Sequence, residues 1–143
     1  MTVTFCGHRQ IYHRDEVEPQ LTQCIQALID EGADCFYLGN YGAFDRMVAW
    51  TLQSFKKKYP HIHIALALAY RTQEYDAHLY DEVIYPIFDN KPRKYNIILC
   101  NEWMVRQSDV IVAYVLYGCG GAAKTRDYAL RKNRRVIDFS YDP

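Results

Sequence analysis

Val110-Ile111-Val112-Ala113-Tyr114-Val115 is followed, two residues on, by Gly118-Cys119-Gly120-Gly121-Ala122-Ala123-Lys124-Thr125. The first stretch is an apolar run of the kind that a buried strand needs. The second is a glycine turn that opens a helical pattern ending near Lys132. Glycine lets the backbone turn sharply and approach a ligand closely. The first free N–H groups of a helix, with the positive end of its dipole, then face an anion. Lys124 and Thr125 fall in the first helical turn, where an ammonium and a hydroxyl add to such a cradle. A glycine corner without a ligand gives the same pattern, so the turn sets the fold unit and leaves its use open.

Outward from this unit the chain repeats the alternation. Residues 2–6 read as a buried strand, and residues 16–31 as an amphipathic helix with Val17, Leu21, Cys24, Ile25, Leu28 and Ile29 on one face, stopped by Gly32. Residues 35–38 read as a second strand, residues 39–42 as a turn, and residues 44–58 as a helix whose Lys56-Lys57-Lys58 end suits the helix dipole. Residues 62–69 form a third apolar run. Residues 70–94 are the least regular part, tyrosine-rich, with a short strand at 82–85. A helix over 95–106, a strand over 109–115, a helix over 121–132 and a strand over 135–139 complete the order. Apolar strands alternating with amphipathic helices predict an α/β, Rossmann-like three-layer sandwich: a mostly parallel sheet with helices on both faces.

The 143 residues suit one domain spanning 1–143. The formal net charge is zero, which argues against a general nucleic-acid binder. No apolar stretch approaches the roughly 20 residues of a membrane span, and the N-terminus reads as a core strand with no signal peptide, so a cytoplasmic protein with no membrane contact is expected. The five cysteines are scattered, with no Cys-x-x-Cys pair; they read as reduced thiols, and neither metal nor cofactor is implied.

In a parallel sheet, ligands bind beyond the carboxyl ends of the strands. Gly7-His8-Arg9 follows the first strand, Gly39-Asn40-Tyr41-Gly42 with Asp45 the second, Tyr70-Arg71 the third, and the Gly118–Thr125 loop the Val110 strand, so all four ends are expected to converge on one crevice. Arg9 suits a bidentate phosphate contact or a structural salt bridge. His8 suits a hydrogen bond to ligand, an acid or base role, or a turn bonded to backbone. Asp45 can bind a ribose hydroxyl, act as a base, or cap its helix. Asn101 and Trp103-Met104 border the crevice from a helix, with Met104 reading as core, as does Cys6.

At these residues the chain resembles a known family. Cys6-Gly7-His8-Arg9 is similar to the opening signature of the YpsA-like proteins, and Asn101-Glu102-Trp103-Met104-Val105-Arg106-Gln107-Ser108-Asp109 to their "RNRWMVDRSD" segment. Gly120-Gly121, Thr125 and Tyr128-Ala129 match their "GGTxYTxxYA" segment. The order and separations agree over nearly the whole chain. The resemblance implies the SLOG superfamily of Rossmann-like proteins, which includes lonely-guy phosphoribohydrolases, the DNA-uptake protein DprA and sensor domains of bacterial defence systems. It implies a nucleotide or nucleotide-derived ligand and a homo-oligomer.

The chain also departs from the pattern. The family's "GGAxGxD" loop stands here as Gly39-Asn40-Tyr41-Gly42-Ala43-Phe44-Asp45, with Tyr41 bringing bulk and a stacking face. Ala122 replaces a threonine. Against the lonely-guy "PGGxGTxxE" pattern, the chain has Cys119, Ala123 and Lys124 at the proline, second-glycine and threonine positions, and Asp127 for the catalytic glutamate. Shortening by one methylene moves the carboxylate by on the order of 1 Å, enough to cost ~100-fold in rate. Three readings follow. In a binding or sensing module, Gly120, Gly121, Lys124 and Thr125 hold phosphate, Gly7 and Arg9 form a second wall, Asp45 takes a ribose hydroxyl and Tyr41 stacks on a base. In a nucleotide N-glycosidase, Asp127 or Asp45 stabilises the transition state while an arginine holds the 5′-phosphate. In the third, the crevice is vestigial and the protein acts through a protein partner. In the first reading residues 70–94 serve as a lid or a partner surface, with an amphipathic surface excursion as the alternative.

Overall fold

The computed structural model of the chain describes residues 1–71, 73–86, 92–116 and 118–138. Its elements are β1 (Thr2–Gly7), α1 (Arg14–Asp30), β2 (Cys35–Leu38), α2 (Ala43–Lys56), β3 (His63–Ala67), β4 (Glu82–Ile84), α3 (Arg93–Gln107), β5 (Val110–Tyr114), α4 (Gly121–Arg131) and β6 (Arg135–Asp138). The strands lie in the order β4-β3-β2-β1-β5-β6, and every neighbouring pair is parallel. The chain therefore builds outward from β1 to β4. It then returns through α3 to place β5 on the other side of β1. This reversal leaves the carboxyl ends of β1 and β5 side by side, with Gly7 in register with Tyr114. It is the topological switch point, where helices diverge to opposite faces and open a crevice.

Alternation of side chains along the strands produces two cores. Val3, Phe5, Phe36, Leu38, Ile64 and Val112 pack with Leu21, Ile25 and Leu28 of α1 and Val48 and Leu52 of α2. On the other face, Cys6, Ile111 and Ala113 meet Val105, Ala122, Ala123 and Ala129, and Ala67 and Ala69 meet Cys100 and Met104. Alanines on both sides of that contact let α4 approach the sheet closely. The three-layer α/β architecture expected from the strand–helix alternation is the observed one.

Element ends carry the local chemistry. Gly32, at φ 109°, closes α1: its N–H donates to the Ile29 carbonyl at 3.0 Å, and that of Ala33 to Leu28 at 2.9 Å. This is a Schellman motif, and it uses two carbonyls that the helix end leaves over. α1 starts two residues before the expected position, after His13 in the left-handed region at φ 57°, and runs through Pro19. α3 likewise starts earlier, at Arg93 behind Pro92. The irregular stretch holds β4 at the sheet edge and a 3₁₀ turn, Ala77–Leu79, whose Leu79 packs into the α1–α2 core. Residues 87–91 of that stretch, and Phe139 of the expected last strand, lie outside the described residues.

The lysine run has a specific anchor. Lys56 Nζ donates to the Ile62 carbonyl at 2.7 Å and pairs with Asp81, whose carboxylate also accepts the Ile64 N–H at 2.9 Å. Among the described residues no helix is long and apolar enough to cross a membrane.

Candidate functional site

A cavity of about 260 Å³ opens at the switch point. One wall is the strap that follows β1. The N–H of Leu116, just past β5, donates to His8 Nε2 at 2.7 Å. A backbone N–H can only donate, so His8 is a neutral imidazole with its proton on Nδ1, and burial lowers its pKa in the same sense. The Tyr114 ring meets His8 edge-on at 5.7 Å. The Arg9 carbonyl accepts the Ala43 N–H at 2.8 Å, tying the strap to the start of α2. A Cβ on Gly42 would stand 2.4 Å from Arg9 Cα, so only glycine permits that approach. The Arg9 side chain is exposed at the mouth, with no carboxylate partner among the described residues. Gly7 lines the cavity too, yet the group that excludes a side chain there is Phe44, whose ring would lie 2.3 Å from a Cβ.

The second wall is the β2–α2 loop. Asp45, in the first turn of α2, reaches back to accept the Tyr41 N–H at 2.9 Å. Burial pushes its carboxyl up to about 6, against the opposing pull of the Tyr41 N–H and Arg46. It therefore sits at the cavity wall poised between charged and neutral forms near physiological pH. Tyr41 spans the floor of this wall, its hydroxyl accepting the Ala69 N–H at 3.1 Å beyond the end of β3. Burial and the neighbouring Cys100 raise the Tyr41 phenol, so it stays neutral.

The third wall is the β5–α4 turn. Gly120 takes φ 95°, and α4 begins at Gly121 without a side-chain cap. Nothing stands within 4 Å of a Cβ built at Gly118, Gly120 or Gly121. The Lys124 N–H bonds back to the Gly120 carbonyl at 3.1 Å, and a helix start leaves the amides before such a bond without intrahelical partners. Gly121, Ala122 and Thr125 line the cavity, while the Thr125 hydroxyl donates to the Gly121 carbonyl at 2.9 Å. That proton is engaged with backbone, which leaves the oxygen as an acceptor. Lys124 is exposed on the helix outside the lining.

Two comparisons place this architecture. DNA processing protein A (DprA) from Streptococcus pneumoniae aligns with a TM-score of 0.74 at 13% identity, over 96% of this chain and 49% of that one. DNA processing protein A from Helicobacter pylori, described by its single-stranded DNA binding mode, aligns with a TM-score of 0.68 at 13% identity, over 96% of this chain and 64% of that one. The fold is the Rossmann-like α/β fold of these DprA structures. At such identity the likeness concerns the fold alone, and the chain spans less than two thirds of either DprA protein. Neither a protein-family profile nor a curated protein matches the sequence.

Within this DprA-like frame, the crevice gathers Gly7, His8, Arg9, Gly39, Tyr41 and Asp45 with Asn101, Gly121 and Thr125. Other residues named from the sequence fall outside the lining. Gly42 packs on the Arg9 backbone, and Gly120 forms the turn behind the cavity wall. Arg71 does not converge on the crevice: its guanidinium lies over the Tyr85 ring at 4.8 Å, at the β3–β4 edge. Asp127 also points elsewhere, 3.5 Å from Arg126, which bridges to Asp138 at 3.2 Å. It lies six residues beyond Gly121, about 1.7 turns of helix, on another face of α4. The sequence reading missed Phe5 and Ile97 as lining, took Cys6 for core, and set Met104 beside the crevice while favouring core. Ile97, Asn101 and Met104 recur at helical spacing, and the Asn within that stripe was the available signal. The Cys6 thiol is pushed up to about 12, first by burial and then by Asp45 and Asp138, so it is no nucleophile. Among the described residues no three metal-ligating side chains come together.

Proposed function

We propose that the switch-point cavity binds a nucleotide or nucleotide-derived ligand and that the chain is a YpsA-like binding or sensing module. The observation that carries this reading is the pairing of two anion-directed features across one crevice. The uncapped N-terminus of α4 opens on it from the β5 side, and Arg9, without a carboxylate partner among the described residues, stands at its mouth from the β1 side. Phosphate between them gains the helix amides and a bidentate guanidinium contact. The remaining lining suits a nucleoside: Asp45 accepts hydroxyl or N–H donors, Asn101 offers both polarities, and Tyr41, Ile97 and Met104 supply apolar contact.

The zero net charge does not bar nucleic acid, because binding of a strand needs only a local cationic site, and the DprA of Helicobacter pylori is described binding single-stranded DNA. Single-stranded DNA therefore belongs among the ligands to be tried. The N-glycosidase reading is left with Asp45 alone, since Asp127 lies away from the cavity. A homo-oligomer remains part of the proposal by resemblance.

The test is a thermal-shift screen with nucleoside monophosphates, NAD and ADP-ribose derivatives, cyclic nucleotides and short DNA strands, with base release followed by chromatography. A ligand at ~100 times its Kd adds about 2.7 kcal/mol, on the order of 5–10 °C for a domain of this size. A shift that Arg9→Ala removes, without base release, is the expected result. A shift with base release would replace the sensor by an N-glycosidase, and no shift with any compound would overturn the reading.

A further inference from the structure

We propose that a second cavity, on the far side of the β2–α2 loop, is a nucleobase subsite, so that the ligand carries two bases joined through phosphate. This rests on the nucleotide reading of the first cavity and deepens it.

The β2–α2 loop acts as a partition. Gly39, Tyr41 and Asp45 face the switch-point cavity, while Asn40 and Arg46 line a second cavity of about 420 Å³. The partition is a single loop: Asn40 stands between Gly39 and Tyr41, and Arg46 follows Asp45, with neighbours in sequence lining opposite cavities. Arg46 and Trp50 stand four residues apart on α2 and share a face, so both reach this cavity. Trp50 is 60% exposed, the most exposed of the large hydrophobic side chains among the described residues. Tyr75, 39% exposed, lines the same space from the segment after β3, above the buried Leu79.

Charge selects what fits. The lining holds one cation, Arg46, and two carboxylates, Glu74 and Asp76, of which Asp76 already accepts the His78 N–H at 3.1 Å. A second phosphate is disfavoured. A neutral planar ring is favoured: the indole and phenol faces stack on it, and Glu74 accepts N–H donors from an amino-bearing base. The phosphate then stays with Arg9 and α4, and the partition is crossed by the link between the two nucleosides.

The experiment uses the full chain in a Trp103→Phe background, which leaves Trp50 as the only indole. Adenosine monophosphate, the dinucleotide adenylyl-adenosine and an oligodeoxyadenylate strand are titrated, with Trp50 fluorescence and calorimetry as readouts. The dinucleotide is expected to quench Trp50 and to bind about tenfold tighter than the monophosphate, the gain of one stacked base. In a parallel calorimetric series on the otherwise unaltered chain, Trp50→Ala is expected to remove that advantage and leave monophosphate affinity unchanged; the exposed position keeps the fold intact. A strand that binds tighter again names single-stranded nucleic acid as the source of the two bases, and equal affinity names a free dinucleotide. The subsite is overturned if no probe quenches Trp50, or if Trp50→Ala changes neither affinity. The first-cavity reading fails separately, when Arg9→Ala leaves monophosphate affinity as it was.

Discussion

The Tyr114 hydroxyl accepts the backbone N–H of Tyr12 at 3.2 Å and faces the Tyr12 carbonyl at 3.3 Å, so the last residue of β5 holds the strap that follows β1. Tyr114 is fully buried and stacks on Phe44 at 5.5 Å. Tyr114 thus holds the strap together with the His8–Leu116 and Arg9–Ala43 hydrogen bonds, and Arg9 takes its position from it.

Tyr114→Phe keeps the stacked ring and removes only the hydroxyl. Two backbone groups lose a partner, and a loss of about 1–2 kcal/mol is expected in denaturant unfolding. Amide exchange at Tyr12 should rise by more than that at core strands. Unchanged exchange there would show that the strap is held by its other contacts.

Gly7 and Gly121 should part company. Gly7→Ala drives a methyl into the Phe44 ring, and an overpacking cost of about 1–3 kcal/mol is expected, relieved when Phe44 is also made smaller. Gly121→Ala meets nothing within 4 Å and should leave stability unchanged. Its methyl enters the cradle instead, so phosphate affinity should fall. Equal stability losses in both variants would contradict this division.

Asp45 makes the protein less stable as pH rises. Its folded pKa of about 6 lies above the ordinary carboxyl value of 3.8, so the folded state binds the extra proton between those values. Stability falls across that window and stays low above it. Asp45→Asn should therefore raise the melting temperature at pH 7.5 by the equivalent of about 1–3 kcal/mol, with the gain vanishing below the window. The same change should weaken ligand binding. The proposed ligand contact would account for a carboxylate held at such a cost.

His8 slopes the other way. Burial lowers its folded pKa beneath the ordinary 6.5, so below that value the unfolded state binds the extra proton. Its contribution is complete above pH 6.5 and is lost as pH falls towards the folded pKa. Protonation also sets an N–H against the Leu116 N–H, opening the β1–β5 link. Comparing the pH dependence of the melting temperature in His8→Gln and Asp45→Asn separates the two effects, because below neutral pH the first removes a contribution that grows with pH and the second one that shrinks with it.

Local sequence determined most of the fold. The apolar runs and amphipathic periods were readable because burial imposes them within a few residues, and Gly32 stopped α1 because its φ of 109° suits glycine. Strand ends with glycine and polar residues marked where a crevice could open. The roles of those residues were not local. Whether Gly7 yields to a ligand or to Phe44, whether His8 serves a substrate or Leu116, and whether Arg71 reaches the crevice or the Tyr85 ring depend on partners between 14 and 108 positions away. Asp127 shares a helix with Gly121 and still misses the cavity, because rotation around α4 is set by how Ala122, Ala123 and Ala129 seat against Ile111 and Ala113. A period in sequence fixes which face of a helix is apolar; only packing fixes what that face meets, and so which of the polar residues beside it are left looking into the crevice.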